Sequence, residues 1–217
     1  TNEHYRQAVE SQTREDRFII KCKQDYPAHL WAKSNPILQE IRGVKEPEEI
    51  AIMQTACNIT EKGFRRLLQF VKPGVMEYEI EAELLHEFIR NRSKGFAYTP
   101  IIASGNNANV LHYIKNNREC KDGDMLLMDV AAEYANYSSD LTRTIPVNGR
   151  FTPRQKAVYE AVLRVKNDAT AMLVPGTMWA EYHKEVGKLM TSELLGLGLL
   201  DKADVQNEDK DWPAYKK

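Results

Sequence analysis

The residues of this chain best placed to do chemistry are two acids, Asp129 and Asp140, which bracket the stretch Val130-Ala131-Ala132-Glu133-Tyr134-Ala135-Asn136-Tyr137-Ser138-Ser139. Met125 to Met128 run apolar before it, and Arg143-Thr144-Ile145-Pro146-Val147 alternates polar and apolar after it. β-Branched and aromatic residues around an Asn-containing centre predict two strands joined by a tight connection. A turn centred on Tyr134-Ala135 sets Asp129 opposite Asp140 on one sheet face. Opposed carboxylates repel, and the apolar neighbours of Asp129 predict a substantially desolvated acid, which raises the cost. A divalent cation between the two turns repulsion into attraction, because Asp oxygens are hard-metal ligands. In the competing reading, bulges shift the register, pair Asp129 with Arg143 and leave Asp140 to cap a turn. Spacing alone does not choose between them.

The elements that must position these acids follow from periodicity and punctuation. Lys45-Glu46-Pro47-Glu48-Glu49 is a helix start, with proline at a first helical position and acids in the first turn. Ile52, Ala56, Ile59, Gly63, Leu67 and Phe70 then recur at helical spacing until Lys72-Pro73-Gly74. A second helix, Glu77 to Arg92, is set to bury Ile80, Leu84 and Phe88, with His86 on its solvated face. Residues 97–104 favour strand, Gly105 to Asn109 loop, and Leu111-His112-Tyr113-Ile114 a short strand. After the two-acid hairpin, Thr152-Pro153-Arg154-Gln155 forms a capping box for a helix running to Leu173. A Pro175-Gly176 break and a helix from Trp179 to Leu195 follow, with His183 on a packed face beside Trp179, Val186 and Met190.

A proline-headed helix, a Pro-Gly break and a second helix therefore occur twice, a repeat of architecture more than of letters. The first copy leads into the strands that carry the acids. The second leads into Asp201 to Lys217, which is charged and proline-broken. The pattern reads as one and a half units of a duplicated fold, cut short. Residues 1–43 are charge-rich, then broken at Tyr26-Pro27 and Asn35-Pro36, and read as the tail of a preceding domain and a linker. His4 and His29 have no partner there.

Composition bounds the partners. With 217 residues, 42% hydrophobic, 28% charged and a net charge of −1, the chain is an ordinary globular one. No basic stripe suggests nucleic acid, and no apolar run approaches the length of a membrane span. Three dispersed cysteines, Cys22, Cys57 and Cys120, form neither a zinc cluster nor a disulfide framework, so a reducing cytoplasm is expected.

Several segments in order carry a resemblance: Arg42-Gly43-Val44-Lys45-Glu46-Pro47-Glu48-Glu49-Ile50, Ala103-Ser104-Gly105 through Leu111-His112-Tyr113, Gly123-Asp124 through Asp129, and Tyr137 through Thr144 followed by Phe151-Thr152. Over residues 42–217 the chain resembles the aminopeptidase P/prolidase group of pita-bread metallopeptidases. That resemblance implies an α+β pita-bread fold, a duplicated helix-helix-antiparallel sheet, over residues 44–217 with its second half incomplete. It implies two divalent cations, manganese foremost with cobalt or zinc as alternatives, held by two Asp, one His and two Glu. Asp129 and Asp140 match the two Asp positions, and His112 matches the histidine that binds substrate beside the scissile bond and takes part in catalysis. The remaining His and both Glu belong after an HGxGH-type segment that this sequence does not contain. Ala131 stands where the family often has glycine.

The implied reaction is hydrolysis of the bond between an N-terminal residue and a following proline, with a peptide bearing proline at the second position as substrate. A prolidase-type dipeptidase is one alternative, and a catalytically dead pita-bread binding module another. With two ligands of five, the 217-residue chain itself is expected to show no appreciable peptidase activity, and a half-built fold is expected to expose apolar surface and form homo-oligomers.

Overall fold

The computed structural model describes residues 12–207 and 213–216. Four helices precede the first strand: α1 (Arg14–Asp25), α2 (Asn35–Gly43), α3 (Pro47–Phe70) and α4 (Glu77–Arg90). α3 begins where the sequence places it, closed by a reciprocal cap between Glu46 and Glu49. A helix falls within the expected linker. Residues 35–43 form helix α2, because Pro36 sits in the first turn, where its missing N–H costs nothing. Neither α1 nor α2 buries a residue, and their apolar residues Phe18, Ile20, Ile37, Leu38 and Ile41 are exposed. His4 lies outside the described residues; His29 is exposed, with its ring edge-on to Tyr26.

α3 and α4 pack together and cover the sheet. Gly63 marks their closest approach: a Cβ there would lie 2.8 Å from Phe88 Cε1 and 3.0 Å from Leu84 Cδ2. The core joins Ile59, Phe64 and Leu67 of α3 with Ile80, Leu84 and Phe88 of α4, over Ile102, Leu126, Met128 and Val130 from the strand region.

Six short strands make two antiparallel three-stranded sheets: β1 (Gly95–Phe96), β4 (Ala132–Tyr134) and β5 (Tyr137–Ser138) in one, and β2 (Ile101–Ser104), β3 (Met125–Asp129) and β6 (Thr142–Pro146) in the other. The strand expected over 97–104 is thus confined to β2. The expected strand Leu111–Ile114 is a turn and open loop, because His112 and Asn116 adopt φ of 52° and 44°, which a strand cannot accommodate.

Two further helices, α5 (Pro153–Ala171) and α6 (Trp179–Gly196), form the second helical pair, and a short α7 (Lys202–Gln206) follows. Thr152 and Gln155 build the expected capping box. The pair buries little beyond Ala161, Ala169 and Gly187. His183 is exposed, not packed as its alignment suggested. It stands edge-on to Trp179, which is itself exposed because nothing described covers that face. A groove of about 650 Å³ runs between Met125, Thr142 and Thr144 on the sheet and Val158, Tyr159 and Val162 on α5.

Candidate metal and peptide-binding site

β3 to β6 are one long hairpin, interrupted once. Glu133 pairs with Ser138 and Tyr134 with Tyr137, so the turn is Ala135-Asn136, with both residues at positive φ (50° and 69°). Such a two-residue turn matches the twist of the flanking strands. The same register holds beyond the interruption, where Asp129 pairs with Thr142 and Met128 with Arg143. Asp129 and Asp140 are therefore not directly opposed, as a turn at Tyr134-Ala135 required. They are diagonal neighbours on one face, a separation that side chains still bridge. The competing reading fails too, since Asp129 does not pair with Arg143.

The interruption falls at the acids themselves. Between β3 and β4, and between β5 and β6, the ladder gives way to single bonds: Val130 N–H donates to Leu141 O and Ser139 N–H to Ala132 O. Buried Thr60 of α3 closes the gap. Its Oγ1 accepts from Ala132 N–H at 2.9 Å and lies 2.7 Å from Ser139 Oγ. Ser139 Oγ in turn donates to Ala132 O at 2.9 Å. The two hydroxyls thereby take up both the N–H and the carbonyl of Ala132 at the break. Tyr137 adds a second tie to α3, donating its hydroxyl to Glu49.

At the edge of this break, where Asp129 ends β3 and Asp140 lies in the gap, both carboxylates turn to one hydroxyl. Tyr98 Oη donates to Asp129 Oδ1 at 2.6 Å and lies 3.3 Å from Asp140 Oδ1. Burial first, then the Asp129 and Asp140 carboxylates, push the Tyr98 phenol well above its ordinary value, so it stays a donor. Tyr98 escaped the sequence reading, and its only sequence signal is an aromatic residue just ahead of β2. Asp129 is half-buried and Asp140 exposed. The substantial desolvation expected for Asp129 is not found, since odd-numbered positions of β3 face away from the core that takes Leu126 and Met128.

The donor set fits a hard divalent cation in part. One phenol proton serves Oδ1 of both carboxylates, and carboxylate oxygens brought together in this way are the donor type that Mg²⁺- and Mn²⁺-like ions bind. Among the described residues no group of three or more His, Cys, Asp and Glu could hold a metal ion, and Asp129 and Asp140 are the two acids that converge on one hydroxyl.

His112 is exposed on the loop 105–118 that follows β2. The loop is held from beneath by Glu77, whose carboxylate receives Tyr113 Oη at 2.7 Å and Ser104 N–H at 2.7 Å. Elsewhere, burial pushes the Cys120 thiol up to about 11, which makes it an inert core residue and not a nucleophile.

A profile of metallopeptidase family M24 matches residues 51–209. The chain belongs to that family. It is 44% identical over 170 residues to the Xaa-Pro aminopeptidase of Haemophilus influenzae and 41% identical over 170 residues to that of Escherichia coli, each match covering 78% of this chain. It spans 39% and 38% of the length of those two relatives. Among solved structures it superimposes on the Pseudomonas aeruginosa aminopeptidase PepP with a TM-score of 0.81 at 34% identity, covering 89% of this chain and 46% of the other. Zinc-substituted E. coli aminopeptidase P in complex with product matches with a TM-score of 0.79 at 34% identity, over 90% and 46%. The fold is accordingly the pita-bread arrangement, with small antiparallel sheets under paired helices.

Proposed function

We propose that this chain carries the first ligands of a two-cation site that hydrolyses the bond between an N-terminal residue and a following proline. The observation behind the proposal is the convergence of Asp129 and Asp140 on a single hydroxyl at a break in the hairpin. Asp129 and Asp140 hold the ions, manganese foremost, and the Tyr98 hydroxyl fixes the rotamer of Asp129. Cations held by Asp129 and Asp140 would supply Lewis acidity there, to activate a water and to polarise the substrate carbonyl. His112 binds the peptide and donates a hydrogen bond to the oxygen that gains charge at the scissile bond. Proline specificity is taken from the relatives, which are named Xaa-Pro aminopeptidases.

Two lesser features belong to the same reading. Three free thiols accord with a reducing, cytoplasmic setting, and no helix among the described residues is long and apolar enough to cross a membrane. The exposed apolar residues Val162, Leu163, Leu173, Val174 and Trp179 accord with self-association.

The test is cleavage by the gene product at its natural length. A peptide with proline second should lose its first residue, activity should vanish on chelation, and Mn²⁺ should restore it. Asp140→Asn should lower kcat by a factor of about 10² or more, the scale of a lost charge-stabilising group. Cleavage that ignores chelation, or that prefers alanine to proline at the second position, contradicts the proposal.

A further inference from the structure

We infer that Glu77 is a positioning residue for His112: from beneath, its buried carboxylate gathers both ends and the middle of the loop that carries the histidine. The inference rests on His112 being the peptide-binding histidine proposed above.

Glu77 opens α4 and is fully buried, at 0% exposure. An ionised carboxylate in that setting is costly unless donors surround it. Here the donors all come from one loop and its two hinges. Oε1 accepts from Ser104 N–H at 2.7 Å, Ser104 Oγ at 2.8 Å and Asn107 Nδ2 at 3.2 Å. Oε2 accepts from Tyr113 Oη at 2.7 Å and Arg118 N–H at 3.0 Å. Ser104 ends β2, Asn107 lies in the turn after it, Tyr113 is the neighbour of His112, and Arg118 closes the loop. The backbone returns the contact, since Glu77 N–H donates to Arg118 O at 2.9 Å.

The loop needs such an anchor because its own conformation is unfavourable. His112 has φ 52°, a left-handed backbone that a non-glycine residue adopts only at a cost. Leu111 on one side of it is 92% exposed, so packing there contributes nothing. On the other side Tyr113 is 8% exposed and locked to Glu77. Asn116, also left-handed, is pinned separately, donating to Glu81 Oε2 at 2.8 Å and to Pro100 O at 3.1 Å. Strain at a functional loop persists only where the surroundings over-determine it, and Glu77 is the group that touches the most of it. Its chemistry makes the role specific. A neutral side chain in its place could not accept from all these donors at once.

Two variants test this, Glu77→Gln and Tyr113→Phe, the second of which leaves Glu77 in place should the first not fold. Tyr113→Phe removes one bond to a charged acceptor, so amide exchange across 105–118 in the 217-residue chain should quicken about tenfold to a hundredfold. The imidazole NMR signals of His112 should shift in both variants. In the gene product at its natural length, kcat for the proline peptide should fall about 10²-fold, as for a misplaced substrate-positioning group, while Mn²⁺ affinity is unchanged. Unaltered His112 signals and loop exchange in a folded variant overturn the inference. So does a loss of activity explained by weakened metal binding. A wild-type protein that cleaves no proline peptide sinks the aminopeptidase reading instead, and the His112 signals still decide whether Glu77 positions that residue.

Discussion

Carboxylates occur in this structure in two settings whose chemistry diverges. Glu77 is buried and surrounded by donors; Asp129 and Asp140 share one donor and face outward. Burial pushes the Glu77 carboxyl up, but donation from the Arg118 and Ser104 backbones and from the Tyr113 and Ser104 hydroxyls outweighs it, holding the pKa below the usual carboxylate range. A group whose folded pKa is depressed stabilises the fold above its unfolded pKa, and that contribution is lost as pH falls through the folded value. Stability measured by urea unfolding should therefore drop from about pH 4, the unfolded carboxylate value, downward. The drop should be shallower in Glu77→Gln, which has no charge to lose. An equally steep acid limb in that variant contradicts the assignment. For Asp129 and Asp140 the sequence made legible that both acids lie on one hairpin, but not the register that sets them diagonally. It did not reveal Tyr98, because a tyrosine 31 positions before one acid and 42 before the other carries no periodic signal linking it to either.

At the scale of elements, the device that creates the site is a break in a hairpin whose register never slips. The register itself was misjudged from the sequence by one pair, and Asn136 held the correct answer. Asparagine tolerates the left-handed region, so a two-residue turn ending on it is better than one ending on Ala135. The helix boundaries were far more legible, because Pro47, Pro153, the Glu46/Glu49 and Thr152/Gln155 caps and the two Pro-Gly breaks are local signals. The loop 105–118 was not, since its conformation is imposed from a distance by Glu77 and Asn116. Thr60 ties helix to hairpin at the break. Thr60→Val keeps the shape but leaves Ala132 N–H buried without an acceptor, which should cost about 1–3 kcal/mol in unfolding free energy. A loss well below that in denaturant titration would mean that the break is held by other contacts.

For the molecule as a whole, one helical pair covers a sheet while the second, α5 and α6, leaves apolar side chains exposed and an open groove beside β6. The duplicated architecture was visible in the sequence because its punctuation repeats even where its letters do not. The family followed from several short motifs in a fixed order, and the match over residues 51–209 agrees with it. The central claim, that Asp129 and Asp140 bind metal, is tested most directly by an anomalous-scattering map from crystals of the natural-length gene product grown with Mn²⁺. The account predicts density within bonding distance of both carboxylates, with Tyr98 still donating to Asp129. Manganese bound elsewhere, with Asp129 and Asp140 free of it, would contradict the account.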